Sequence, residues 1–205
     1  PAASTHEPVS AFGALPGRLL MRGRLSTAGE IVDVDCRLGW VWSMLVEAAA
    51  GGLALDGSST SSVRPPTMRL VVEADRRPFD DRPGVPLTRG ARMSGEAVVF
   101  DDACASGFSL RLEPRDSELL VTARYRPRPQ VRAASSLLRS RFHFIARAVL
   151  LQYPAIWWAG VRGRAPLHVS ALTTGAGVAV LAGPGGVGKS TMLADELAAG
   201  ATATC

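Results

Sequence analysis

Long apolar runs are missing from this chain. Arg, Asp, Gly or Pro interrupts every candidate, residues 149–161 included, and none approaches the roughly 20 residues needed to cross a bilayer. No membrane span and no membrane partner are therefore expected. The first residues, Pro1-Ala-Ala-Ser-Thr-His-Glu, lack the basic start and apolar stretch of a secretory signal, so a cytoplasmic location is expected. Cysteine is scarce. Cys36, Cys104 and Cys205 are odd in number and far apart, with neither metal-type pairing nor a disulfide framework, so reduced and mostly buried thiols are expected. No concentrated basic block accompanies the formal charge of +5. Arginines are spread along the chain, and nucleic acid is not an expected partner. Lysine is almost lacking: of 23 basic residues only Lys189 is a lysine.

With 205 residues and 47% hydrophobic content, the chain can bury the core of one large or two small domains. Residues 1–133 read as β-rich. Apolar stretches of strand length, such as 68–72, 97–100 and 119–123, alternate with Gly, Pro and Asp breakers. Residues 109–112 and 119–123 flank Glu113-Pro-Arg-Asp-Ser-Glu, whose Pro and Asp favour a turn, so a hairpin is expected. Residues 40–50 suit a short helix ending near Gly51-Gly52. The Pro- and Gly-rich stretch 76–90 reads as a surface loop.

Tyr125-Arg-Pro-Arg-Pro-Gln ends the β-rich region, and the domain boundary is placed there, between 1–133 and 134–205. A helix should follow, capped by Ser135 or Ser136, with Leu138, Phe142, Ile145, Ala146, Val149 and Leu150 on its apolar stripe and Pro154 as its stop. Arg139, Arg141 and Arg147 fall off that stripe and read as a solvated face. Trp157 and Trp158 read as core or interface aromatics.

Residues 177–182 form a continuous apolar run, suited to a strand buried on both faces of a parallel sheet. The run leads into Gly183-Pro-Gly-Gly-Val-Gly-Lys-Ser190, which satisfies G-x-x-x-x-G-K-[ST]. A helix-forming segment closed by Gly200 follows. Strand, loop and helix are the context this phosphate-binding motif requires. A polyphosphate needs converging backbone N–H donors, and the chain can wrap it closely only where side chains are absent.

Gly183, Pro184, Gly185, Gly186, Val187, Gly188, Lys189, Ser190 and Thr191 are thus the candidate nucleotide-binding set, with ATP and Mg²⁺ as the expected ligands. Lys189 would place its ammonium on the β and γ phosphates. Ser190 would offer its hydroxyl to Mg²⁺, and the helix N-terminus would add its positive dipole end.

Upstream, Pro166-Leu-His168 opens a second apolar segment, 169–172, and Thr173-Thr-Gly-Ala-Gly177 turns it into the loop strand. Together these features resemble the HPr kinase/phosphorylase family and its HPr-kinase-like relatives, which share a core with phosphoenolpyruvate carboxykinase. The resemblance covers residues 167–205, where His168, Gly175, Gly177, Gly183, Lys189, Ser190 and Gly200 match the family layout in register. It implies an α/β fold with a P-loop kinase core of that type, here preceded by the β-rich domain. It also implies an ATP-dependent kinase acting on a Ser hydroxyl of a peptide or protein, with His168 and Lys189 as catalytic residues. Lasso-peptide-associated relatives are the most similar in overall layout. Residues 1–133 do not match the N-terminal domain of the bifunctional enzyme, so phosphorylase activity and HPr as substrate are not implied.

Phosphoryl transfer also needs a carboxylate for Mg²⁺ or for the hydroxyl proton. The family layout places an Asp pair immediately beyond Cys205, so the sequence is expected to be a fragment of the catalytic unit. Asp101-Asp102, Asp33, Asp35 and Asp195-Glu196 are carboxylates within the chain, and turn or surface roles suit them better. Two other readings stay open on the residues alone: a nucleotide sensor without transfer, and a small-molecule kinase. A homo-oligomer is also left open.

Overall fold

The computed structural model describes residues 19–27, 30–48, 54–55, 65–79, 84–165, 169–184 and 186–203. Its first part is a mixed sheet of nine strands: β1 (Met21–Thr27), β2 (Glu30–Cys36), β3 (Ala54–Leu55), β4 (Met68–Glu73), β5 (Val85–Thr88), β6 (Ala91–Ser94), β7 (Ala97–Phe100), β8 (Phe108–Arg115) and β9 (Glu118–Tyr125). The spatial order is β3-β1-β2-β4-β9-β8-β7-β6-β5. β4 runs parallel to both β2 and β9, and the other pairs are antiparallel.

Alternation along the three central strands sets the register. Val32, Met68 and Leu119 lie side by side, as do Val34, Leu70 and Val121, then Cys36, Val72 and Ala123. All nine are buried. Each large apolar side chain so buried contributes about 1.5–3 kcal/mol, and a one-residue slip would turn every row to the opposite face. That opposite face carries Arg22, Arg24, Asp33, Asp35 and Arg69.

Helix α1 (Gly39–Ala48) and a long helical segment cover the apolar face. The long segment comprises α2 (Pro129–Leu137), α3 (Arg139–Arg147), a π-turn (Ala148–Gln152) and α4 (Tyr153–Val161). Ala146, Val149, Leu150, Leu151 and Trp158 share one core with α1 and the sheet, and Trp40, Phe108, Tyr125 and Phe142 form an aromatic cluster at its edge. The helical stripe expected to start the phosphate-loop domain therefore packs on the nine-stranded sheet.

Several local features differ from the sequence expectation. Ser135 and Ser136 lie inside α2, where their hydroxyls donate to the carbonyls of Arg132 and Ala133, and neither caps a helix. Pro154 does not stop the helix. The amide of Tyr153 reaches back to the carbonyl of Ala148 in the widened π-turn, and this local change of bonding accommodates Pro154 at the start of α4 while the helix continues.

The continuous helix Arg139–Val161 is consequently 23 residues long, with a mean hydropathy of 1.2 over its most apolar window and 44% of that window buried. By length and composition alone it could cross a membrane. Its inner side packs on the sheet.

Part of the loop expected at 76–90 is β5, an exposed edge strand that tolerates Pro86 because it has a partner on one side only. The 109–123 hairpin forms with a tighter turn than expected, Asp116-Ser117, and Pro114 lies inside β8. Leu119, opposite Pro114, donates its N–H to Thr67 and away from β8. Pro114 nitrogen therefore faces the side where β7 has already ended.

After α4 comes a three-stranded antiparallel sheet, ordered β11-β10-β12, of β10 (Val169–Thr174), β11 (Gly177–Ala182) and β12 (Thr202–Ala203), with α5 (Lys189–Ala198) between β11 and β12. The expected parallel environment for residues 177–182 is absent among the described residues. β11 pairs only with β10, antiparallel, and Val178 and Val180 are 61% and 55% exposed. A run of small apolar residues does not distinguish a strand covered on both faces from one left open. Overall the described residues form a mixed α/β protein.

Candidate nucleotide site

The β10–β11 hairpin aims the chain at the site. Thr174 closes its turn, accepting from the amide of Ala176 and donating to the carbonyl of Gly177. β11 then delivers Gly183, and α5 begins at Lys189.

Backbone geometry in the loop suits an anion. Gly186 (φ 78°) and Gly188 (φ 90°) are left-handed on either side of Val187, a conformation that strains any residue with a Cβ. Backbone of alternating handedness turns successive amides toward a common point. A Cβ on Gly183 would lie 3.0 Å from Val187 Cγ1, so the start of the loop passes close beneath that side chain.

Gly188 has no side chain with which to cap α5, and the first amide bonded back to it is that of Met192. The N–H groups of Lys189, Ser190 and Thr191 have no acceptor within the helix. Ser190 and Thr191 are exposed beside them.

Lys189 folds back over the loop. Its Nζ donates to the carbonyls of Gly183 at 2.7 Å and Pro184 at 2.8 Å, and among the described residues no carboxylate pairs with it. At its other end, α5 closes in a Schellman turn: Gly200 (φ 101°) donates to Leu197, and Ala201 donates to Glu196.

Of the residues expected at the site, Gly183, Pro184, Gly186, Val187, Gly188, Lys189, Ser190 and Thr191 are contiguous there. His168 and Gly185 lie outside the described residues, as do Cys205 and Gly51-Gly52. Of the carboxylates weighed from sequence, Asp195 and Glu196 lie on α5, and the other four are engaged elsewhere. Asp33 takes a two-pronged bond from Arg24 at 2.6 and 3.0 Å, and Asp35 takes one from Arg22 at 3.1 Å. Asp101 pairs with Arg92, while Asp102 accepts the amide of Gly107. Among the described residues, no three His, Cys, Asp or Glu side chains are grouped to hold a metal ion.

Two further clusters escaped the sequence reading. Glu30 is 2% exposed and is paired with Arg162, yet Glu30 Oε2, Arg162 Nε and Trp158 Nε1 have no hydrogen-bond partner. Separately, Asp102, Cys104 and Ala105 all have positive φ, and a cavity of about 100 Å³ opens between Cys104, Phe100, Leu112, Tyr153 and Trp157. The Tyr153 hydroxyl is raised above its ordinary pKa by its hydrogen bond to Cys104. Cys104 is exposed, against the expectation of a buried thiol, because the left-handed backbone turns this short segment outward. Neither cluster had a signal in the sequence, since each joins residues far apart in the chain.

Compared with family models, with curated proteins and with solved structures, the chain gives no match.

Proposed function

We propose that this chain contributes the nucleotide-binding part of an ATP-dependent phosphotransferase, an HPr-kinase-like serine kinase acting on a peptide or protein. One observation carries the reading: G-x-x-x-x-G-K-S spans the turn from β11 into α5, with left-handed glycines, three amides that have no acceptor within the helix and a lone ammonium around one loop.

This donor set fits a nucleotide polyphosphate. Amides from Gly186 to Thr191 would hold the phosphate oxygens, and the exposed Ser190 hydroxyl would be the ligand offered to Mg²⁺. ATP supplies the phosphoryl group for the acceptor hydroxyl. Lys189 contributes by exchanging the carbonyls of Gly183 and Pro184 for phosphate oxygens, a move its half-buried side chain makes without unpacking any core. Its charge then withdraws electron density from the transferring group, an effect worth more where water is excluded.

Calorimetric titration with Mg-ATP tests the binding step, and transfer of labelled phosphate to serine peptides tests the reaction. A folded protein that takes up no nucleotide would remove the basis for the whole reading. Binding without transfer to any peptide or small alcohol would leave a nucleotide sensor in its place.

A further inference from the structure

We propose that the surface formed by α2 and α3 docks on an anionic membrane. The inference is independent of the nucleotide site. It starts from charge: residues 119–194 contain nine arginines and Lys189 but no Asp or Glu. Four of those arginines, Arg132, Arg139, Arg141 and Arg147, lie on these two helices without a carboxylate partner among the described residues.

Packing supplies the second observation. α2 has nine residues and none is buried, although an isolated helix below about 12–15 residues is marginal in water. Leu137, Leu138 and Phe144 are 82%, 55% and 68% exposed. On α3, Arg141, Phe144 and Arg147 follow one another at intervals of three, so a large apolar ring projects between two guanidinium groups.

Apolar side chains set among unpaired cations suit a lipid interface, where rings and leucines enter the acyl boundary while arginines reach the headgroups. Other occupants fit less well. A nucleic-acid backbone would satisfy the arginines but leave Leu137 and Phe144 in water. A second copy of the same surface would set guanidinium groups against each other. A peptide partner needs a groove, and these residues project outward from the exposed sides of α2 and α3. Membrane docking of this kind also leaves the sheet-facing side of Arg139–Val161 packed as it is.

The test is co-sedimentation of the full chain with phosphatidylcholine vesicles, with and without phosphatidylserine. Binding should require phosphatidylserine, weaken as salt rises, and fall roughly fivefold for each of Arg139→Gln, Arg141→Gln and Arg147→Gln. The double variant Leu137→Ser/Phe144→Ser keeps every charge and should lose about tenfold or more. All five positions are exposed, so unchanged near-ultraviolet dichroism is expected and confirms the fold. The proposal is overturned by failure to bind phosphatidylserine vesicles. It is equally overturned by binding that both sets of variants leave untouched, or by these variants altering only oligonucleotide binding or self-association.

Discussion

Arg162, at the end of α4, donates to the buried carboxylate of Glu30, 132 residues earlier at the start of β2. The pair fastens the long helix to the sheet, and its guanidinium also lies 5.0 Å from the Trp158 ring centroid. Arg162→Ala should cost about 3–5 kcal/mol in denaturant unfolding, because it strands a charge with no access to water. The double variant Glu30→Leu/Arg162→Met should be much closer to the parent. If Arg162→Ala is no less stable than the double variant, the pair does not fasten the helix.

Lys189 is the only lysine, so its charge has no substitute. Lys189→Ala should weaken Mg-ATP binding by about 1.5–3 kcal/mol, the usual worth of charge-assisted hydrogen bonds. It should barely change the melting temperature of the free protein, because the bonds to Gly183 and Pro184 are exposed. Calorimetry and a thermal melt separate the two effects. Equal affinity in parent and variant would remove Lys189 from the site.

The two described cysteines should behave oppositely. Burial pushes the Cys36 thiol from 9.0 up to about 11, while Cys104 is exposed. A neutral alkylating reagent should modify Cys104 quickly and Cys36 only on unfolding. The folded state holds Cys36 protonated after the unfolded state has released its proton. Its contribution is therefore complete below pH 9 and is lost as pH rises through about 11. That loss is on the order of 3 kcal/mol and should be missing in Cys36→Val during alkaline titration.

Gly200→Ala should destabilise α5 by about 1 kcal/mol, because φ 101° suits glycine alone and two helix-closing bonds depend on it. Hydrogen exchange should quicken at Gly200 and Ala201 while β9 amides keep their protection. Protection unchanged throughout α5 would show that the Schellman turn is not what holds the helix end.

Legibility in the sequence followed the physics of each element. Residues 68–72 and 119–123 announce themselves because apolar stretches of strand length stand between breakers, and the turn from β11 into α5 because glycines separate an apolar run from a helix-forming segment. β5 stayed hidden because an edge strand with Pro86 has the composition of a loop. The helix was cut short at Pro154 because a π-turn depends on backbone bonding that no residue type signals. The Glu30–Arg162 pair and the Cys104 cavity depend on tertiary approach. So does the open face of β11, since apolarity says what a strand tolerates and not what covers it.

The parallel placement of β4 between β2 and β9 has a consequence for biosynthesis. The β8–β9 hairpin can zip from its own turn, whereas the middle of the sheet joins segments made far apart in time. On the ribosome, Met68, Leu70 and Val72 emerge with one flank unpartnered until β9 leaves the exit tunnel. A nascent chain stalled before residue 118 should therefore be the form that chaperones hold longest.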